Sequence, residues 1–279
     1  MSSVTAPVSL KMDIALRALR PFPSRIRSAT CAFCLIAPMV AVAELSDESL
    51  LGPGVRSRPA YDGSDSQVLE LIPVVRYLGE PWFVRTTQEV LEGGVRMELA
   101  PGVHAGAQLA YEPGRETSES DFLKSHHVPY VDRGSSVGAQ VEWDHMFGPM
   151  PITLLGRARQ DTDLNRGAQI DLRLSAGAFQ SGRVAAGVFT QATWANVKST
   201  NSFYGITPQE SVATGLPAFY AGSGWLFANF GFLASVDLSR NWIVVGSTET
   251  RHQYGDAARS PLTERASNFY ASVGLAYRF

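Results

Sequence analysis

Long segments of alternating polarity constrain the fold of this chain more than any other feature. Between residues 168 and 179, apolar and polar side chains alternate with a period of two. The apolar row is Ala168, Ile170, Leu172, Leu174, Ala176 and Ala178, and the other row is Gln169, Asp171, Arg173, Ser175 and Gly177. Successive side chains of a β-strand point to opposite faces of its sheet. A charged row opposite an unbroken apolar row therefore predicts a strand between lipid and water.

The same alternation recurs along the chain. It is clear in 137–147, 184–194 and 226–238, where Leu226 begins the apolar row of the last segment. A soluble sandwich also alternates, but its strands are usually shorter than these, whereas tilted membrane strands need about 9–11 residues. We predict an all-β fold, a transmembrane antiparallel up-and-down β-barrel of about 12 strands, with 10 as the alternative. The predicted strands are 51–58, 68–77, 82–90, 94–100, 103–111, 136–146, 151–160, 168–179, 183–194, 225–238, 241–252 and 268–279.

The connections between these segments support the barrel independently. Short stretches rich in Gly and Pro or in polar residues, which favour tight turns, alternate with longer links, of which 112–135, 195–224 and 253–267 are the longest. The alternation puts the tight turns at one end with both termini. In outer-membrane barrels short turns face the periplasm and long loops face outward.

The first 43 residues read as an export signal. A basic region precedes a short apolar run, 30–43, that ends in Ala41-Val42-Ala43. This arrangement predicts a signal peptide cleaved between Ala43 and Glu44. We therefore divide the chain into a cleaved segment, 1–43, and an outer-membrane barrel, 44–279, with Met1 and Met12 both open as the start.

Composition excludes several classes of function. Both cysteines, Cys31 and Cys34, lie in the predicted signal, so a thiol nucleophile or a cysteine-based zinc site is excluded from the mature chain. Five of the 24 Lys and Arg but one of the 26 Asp and Glu precede residue 44. The mature chain is therefore acidic, which argues against a nucleic-acid partner. We expect no cofactor and no metal site.

The C-terminal strand carries a further signal. Phe269, Ala271, Val273, Leu275, Tyr277 and Phe279 form one apolar row that ends at the C-terminus. An apolar row that ends in a C-terminal aromatic residue resembles the signal that the barrel-assembly machinery recognises in outer-membrane proteins. Tyr277 and Phe279 are the residues on which we expect that recognition to depend.

Three motifs resemble a known family. They are Tyr61-Asp62-Gly63-Ser64-Asp65, Thr214-Gly215-Leu216-Pro217-Ala218-Phe219-Tyr220 and Gly255-Asp256-Ala257-Ala258-Arg259-Ser260-Pro261-Leu262. With the final Tyr-Arg-Phe, they resemble the family of the MltA-interacting protein (MipA) and OmpV, from about Gly52 to Phe279. The resemblance implies an outer-membrane barrel. One member of the family is described as a scaffold that joins a lytic transglycosylase to a murein synthase, and the family supplies no catalytic residues to carry over.

Candidate chemical groups are few. His104, His126, His127, His145 and His252 are not spaced as a recognisable Ser/His/Asp site, and His126-His127 beside Asp121 is a poor pair of metal ligands, because adjacent side chains on an extended segment point apart. Twelve predicted lumen charges mix both signs, and we interpret them mainly as structural ion pairs in a narrow barrel: Glu70, Arg76, Arg96, Glu98, Glu142, Asp144, Arg157, Arg159, Asp171, Arg173, Glu249 and Arg251.

These observations favour a non-enzymatic interaction protein linked to cell-wall enzymes. A narrow channel for small polar solutes is the alternative, and a lipid-modifying enzyme is a third and more distant one. The partners that we expect are outer-membrane lipid, the barrel-assembly machinery, and a periplasmic lytic transglycosylase and murein synthase.

Overall fold

Twelve antiparallel strands close into a barrel in the computed structural model, which describes residues 48–87 and 90–279. Each strand pairs with its neighbours in sequence, and the first pairs with the last, so the predicted fold class and strand number are confirmed. The strands are β1 (Leu50–Pro59), β2 (Gln67–Leu78), β3 (Trp82–Thr87), β4 (Val90–Ala100), β5 (Val103–Glu112), β6 (Gly134–Phe147), β7 (Met150–Asp161), β8 (Ala168–Ser181), β9 (Val184–Ala195), β10 (Gly224–Asp237), β11 (Trp242–Gln253) and β12 (Ser267–Arg278).

The alternation of the sequence becomes the two faces of the barrel wall. In β8, Leu172 and Leu174 are 50% and 42% exposed, whereas Asp171 and Arg173 between them are 1% and 4% exposed. β6, β9 and β12 repeat this division. A closed wall whose outer face is apolar and whose inner face is charged suits lipid outside and water inside. The chain is therefore an outer-membrane barrel protein.

The two ends of the barrel differ as predicted. Five tight turns, at 79–81, 101–102, 148–149, 182–183 and 238–241, lie at the end that also holds both ends of the barrel chain, and we call it the turn end. The opposite end, the loop end, carries the long connections. Those connections contain α1 (Asp121–Ser125), α2 (Val197–Tyr204), α3 (Pro208–Thr214), α4 (Gly255–Arg259) and a 3₁₀ turn at Thr117–Glu119. No helix in the described ranges has the length and apolar character needed to cross a membrane.

Two details of the strand prediction are wrong. The third strand ends at Thr87 and the fourth begins at Val90, so Glu92 lies inside β4 and not in a turn. Leu226 does not face lipid: a register shift between Trp225 and Phe227 turns it inward, where it is 5% exposed. A β-bulge adds one residue to a strand and thereby reverses the faces beyond it, which a strict period of two cannot show.

The predicted cleavage site lies outside the described residues. Ala41, Ala43 and Glu44 all precede Glu48, where the description of the chain begins. The signal peptide and the division of the chain at residue 43 stay predictions.

Candidate functional site

Five charged side chains from five strands cross the lumen as one connected group, which we call the charged layer: Arg85, Glu92, Glu142, Arg157 and Asp171. Glu92 is at its centre, because its two oxygens accept from Arg85 Nε and Arg157 Nη1, each at 2.6 Å. Arg85 continues to Glu142 at 2.5 Å, and Arg157 continues to Asp171 at 2.8 Å. No member is more than 5% exposed. Each charge is thus compensated by a partner on another strand.

Uncharged polar groups satisfy the remaining atoms of this layer. Gln108 donates to Glu92 at 2.9 Å, Gln140 accepts from Arg85 at 2.8 Å, and Thr193 donates to Asp171 at 2.8 Å. Arg159 extends the layer by pairing with both Asp171 and Glu112. The prediction that lumen charges form ion pairs is confirmed for Glu142, Arg157, Arg159 and Asp171.

A second interior cluster lies on the side of β10 to β12. Arg251 pairs with Glu249 at 3.1 Å and with Asp62 at 2.9 Å, and its guanidinium lies over the rings of Phe227 and Tyr270. Asp62 belongs to the loop between β1 and β2. The first family motif is therefore anchored inside the barrel by a charge on β11.

Arg85 and Glu92 were missing from the predicted lumen charges. Both lie next to the β3–β4 connection. The predicted connection, 91–93, contained Glu92, so this residue was not assigned to either face of a strand. The order Trp82, Phe83, Val84, Arg85 does place Arg85 opposite the outward Trp82 and Val84. That local signal could have identified Arg85, whereas the position of Glu92 needed the correct strand ends.

Among the cavities that the described residues line, three adjoin the charged layer. One of about 420 Å³ is at the loop end, and one of about 690 Å³ is at the turn end. A smaller cavity of about 160 Å³ shares Arg56 and Tyr270 with the first and Arg76 and Arg173 with the second. The larger two are on opposite sides of the charged layer, and the small one lies beside it.

The three family motifs meet at the loop end. Tyr61 of the first motif, Leu216 and Phe219 of the second and Leu262 of the third pack in one apolar cluster, which we call the loop core. It also contains Phe122, Leu123, Val128 and Ile206. Leu123 and Leu262 are 0% and 2% exposed. The loop core is therefore a small apolar core that is built by connections far apart in the chain and lies among the loops at the loop end.

The first and third motifs are joined by hydrogen bonds as well. The Tyr61 hydroxyl donates to Leu262 O at 2.9 Å, and burial raises the pKa of this hydroxyl, which keeps it a donor. Gly63 N donates to Asn268 Oδ1 at 2.8 Å, and Asn268 Nδ2 donates to the carbonyl of Ser64, which is fully buried. Asp65 is exposed. These bonds fix the β1–β2 loop against the entry to β12.

The other motif residues have structural roles. Gly215 ends α3 at φ 71°, a left-handed conformation that favours glycine, and Pro217 follows it on the surface. Asp256 accepts from Gly222 N at 2.7 Å; this bond and Arg259 lower the pKa of its carboxyl. Ser260 Oγ donates to Tyr204 O at 2.7 Å, Ala257 is 1% exposed, and Pro261 adjoins the buried Leu262.

We expect Leu262→Ala to loosen the loops without opening the barrel. The substitution removes three carbons from the loop core and should cost that core about 2–5 kcal/mol. Limited proteolysis of the folded protein in detergent should then cut the loops, while heat-modifiable gel mobility stays that of a folded barrel. Leu164→Ala is the matched control, since Leu164 is a loop leucine that is 66% exposed. Equal resistance of both variants to protease would contradict the role of the loop core.

The histidines do not assemble a triad in the described ranges. His104 lies 3.6 Å from Asp144 and 3.8 Å from Glu80 near the turn end, and His145 stacks on Trp143 on the outer face. His104, Glu142 and Asp144 approach one another as metal ligands could, but Glu142 already pairs with Arg85 and Arg96. These ion pairs disfavour a metal there.

Three histidines lie at the loop end. His126 Nδ1 lies 3.1 Å from Thr214 O, whereas His127 has a positive φ of 54°. His252 Nδ1 lies 2.7 Å from Ser267 Oγ at the outer surface. Among the described residues, no carboxylate orients the His252 ring, so the pair of His252 and Ser267 lacks the third member of a hydrolytic triad.

A family model now identifies the barrel. The model of the MltA-interacting protein MipA matches residues 51–279, which is the whole barrel from its first strand to its last residue. The chain belongs to the MipA family. The resemblance of the three motifs is therefore confirmed, and the loop core is where this MipA-family chain brings them together. A comparison with curated protein sequences finds no match.

Several solved outer-membrane proteins share the barrel architecture at low similarity. The COG4313 outer membrane channel from Pseudomonas putida F1 is 11% identical, with 88% of this chain and 100% of that chain covered and a TM-score of 0.49. The NanC porin is 9% identical, with 83% and 100% covered and a TM-score of 0.46. LpxR from Salmonella typhimurium is 9% identical, with 83% and 100% covered and a TM-score of 0.41. Such distant likeness carries no argument about what a MipA-family protein does.

The C-terminal aromatics of this MipA-family barrel face outward at the turn end. Tyr277 and Phe279 are 41% and 68% exposed, and Tyr277 packs edge-on against Trp242. Phe279 N donates to Ser49 O, so the last residue is tied to the beginning of β1. Recognition of this terminus by the assembly machinery stays a prediction.

Proposed function

We propose that this barrel is a non-enzymatic scaffold that holds cell-wall enzymes at the inner face of the outer membrane. Its family membership carries this proposal, because the family description names MltA, a lytic transglycosylase, as the partner. We extend the proposal to a murein synthase as a second partner. The interior supports a non-enzymatic role, since the charged layer consists of groups that neutralise one another and not of groups offered to a substrate.

The turn end is the surface that a periplasmic partner can reach. Its turns contain two exposed cationic side chains, Arg183 between β8 and β9 and Arg240 between β10 and β11. Positive side chains at an interface rim direct association with an acidic partner surface. We therefore place the docking surface on these turns.

Charge reversal on the turns tests the docking surface. The double variant Arg183→Glu/Arg240→Glu should bind a purified MltA-type lytic transglycosylase at least about tenfold more weakly than the unchanged barrel in surface-immobilised binding measurements. The matched control is Lys198→Glu/Arg265→Glu, which reverses two charges at the loop end and should bind normally.

Two outcomes count against this proposal. If the unchanged barrel retains no transglycosylase, the scaffold role fails. If both double variants bind equally well, the role of the turns fails.

A narrow channel for small polar solutes is the second candidate function. The observation that favours it is the 160 Å³ cavity, which shares lining residues with the cavities on both sides of the charged layer. A path beside the layer would pass Arg173 and Arg56. Discrete conductance steps of the purified barrel in a planar bilayer would support this candidate, and a silent bilayer that contains folded protein would count against it.

A further inference from the structure

The barrel wall is incompletely paired between β2 and β3. β1 pairs with β2 along the whole length of β1, from Leu50↔Arg76 to Pro59↔Gln67. The pairing of β2 with β3 covers only three positions, Arg76↔Arg85 to Leu78↔Phe83. Within the described ranges, residues 67–75 thus have no strand partner on the β3 side. We call this region the wall gap; Thr86, Val90 and Leu91 lie across it.

Pro73 limits how far this pairing can extend along β2. Thr86 Oγ1 donates to Pro73 O at 3.2 Å, so this carbonyl points toward β3. The N–H and C=O of one strand residue point to the same neighbour, and proline has no N–H. Pro73 therefore has no backbone N–H to donate on the β3 side. Opposite it on β1 is Pro53, for which the same alternation directs the missing N–H away from β2.

The loop-end cavity reaches the wall gap. Leu71 and Pro73 line it from one edge of the gap, and Thr86 and Leu91 line it from the other. Outside the gap, Leu69 and Leu71 are 72% and 83% exposed on the lipid side of β2. The cavity is therefore bordered by charged groups inside the barrel and by apolar side chains at its side.

A buried cation without an ion-pair partner lines the same cavity. Arg115 is 5% exposed, and its guanidinium donates to two backbone carbonyls, Phe203 O at 2.6 Å and Pro129 O at 3.2 Å. Its Nε is buried and has no hydrogen-bond partner, and none of the described carboxylates pairs with it. Burial lowers the pKa of Arg115 accordingly. An anion in the cavity would supply the missing charge.

We propose that the loop-end cavity binds an amphiphilic anion that enters from the outer leaflet through the wall gap. Arg115 receives the anionic headgroup, and the apolar chain stays in the lipid beside Leu69 and Leu71. A backbone edge left unpaired in hydrocarbon is costly, and a polar headgroup that passes along it offsets part of that cost. A cavity of about 420 Å³ has the size of common ligand sites. This inference does not depend on the scaffold proposal.

The experiment uses lauric acid with a nitroxide near its methyl end as the probe. The full mature barrel is placed in phosphatidylcholine vesicles, and electron paramagnetic resonance measures the fraction of probe whose motion is restricted. Nitroxide phosphatidylcholine, which has no net charge, measures ordinary lipid contact. We expect the unchanged barrel to restrict the fatty acid beyond this background.

Two variants remove different parts of the proposed site. Arg115→Met removes the charge and keeps an unbranched side chain, and Pro73→Val restores a backbone N–H on the β3 side. Each should weaken binding of the probe at least about tenfold. The matched controls are Arg265→Met, an exposed loop arginine, and Pro53→Val, the proline opposite Pro73. Heat-modifiable mobility shows that all five proteins are folded.

Each result either supports or overturns the proposal. Weak binding by the two site variants together with normal binding by both controls supports it. Equal restriction of the probe in all five proteins overturns it. Loss in Pro73→Val alone overturns the headgroup role of Arg115. Loss in Arg115→Met alone, with displacement of the probe by inorganic phosphate, overturns the lateral route and assigns the cavity to a soluble anion.

Discussion

Glu92→Gln should lower the free energy of unfolding of the barrel by about 3–5 kcal/mol, the usual cost of removing one partner from a buried ion pair. Glu92 is 1% exposed and accepts from Arg85, Arg157 and Gln108. The amide has nearly the size of the carboxylate, so packing changes little. Two buried guanidinium groups then lose the negative charge that they share.

Urea unfolding in lipid vesicles, followed by tryptophan fluorescence, measures this effect. Glu116→Gln is the matched control, because Glu116 pairs with Arg133 at 3.7 Å on the surface, where both side chains are about half exposed or more. That exchange should cost less than about 1 kcal/mol. A small and equal change in both variants would show that the charged layer adds no stability to the folded barrel.

Leu172→Arg should impair insertion of the barrel into a bilayer by about 2–4 kcal/mol, the cost of an arginine on the lipid face near the midplane. Leu172 is 50% exposed on the outer face of β8, between Ala192 of β9 and Gly156 of β7. Its paired neighbours in the wall are small, so neither of them offers a carboxylate that could pair with the new arginine. The yield of heat-modifiable protein after refolding into vesicles measures the loss.

Ser175→Arg provides the matched control on the same strand. Ser175 is 3% exposed and lines the cavity of about 690 Å³ at the turn end, which has room for a longer side chain in contact with water. Its refolding yield should stay close to that of the unchanged barrel. A yield for Leu172→Arg as high as for Ser175→Arg would contradict the assignment of the two faces.

The local alternation of apolar and polar residues was sufficient to predict most of the barrel wall. The alternation at 168–179 correctly predicted which side chains of β8 face lipid down to Ala176, and the spacing of turns and loops predicted the two different ends. This succeeds because the period of two is a property of each strand alone. It fails at Leu226, where the bulge that turns this residue inward arises from pairing with β9.

The candidate sites could be identified only from the closed barrel and not from the sequence. Arg85, Glu92 and Arg157 are far apart in the chain, and only the pairing of β3 to β8 brings them into one layer. Arg115 likewise has no sequence signature, because an unpaired buried charge is defined by the groups that surround it and not by its neighbours in the chain.

The sequence by itself determined the strands, their two faces, the two ends of the barrel and the family. The tertiary structure decided the charged layer, the loop core and the wall gap. The physical reason is the range of the interactions involved. Alternation and turn preference act between residues that are close in the chain, whereas a compensated charge, a packed loop leucine or an unpaired strand edge depends on which distant segments closure of the barrel places side by side.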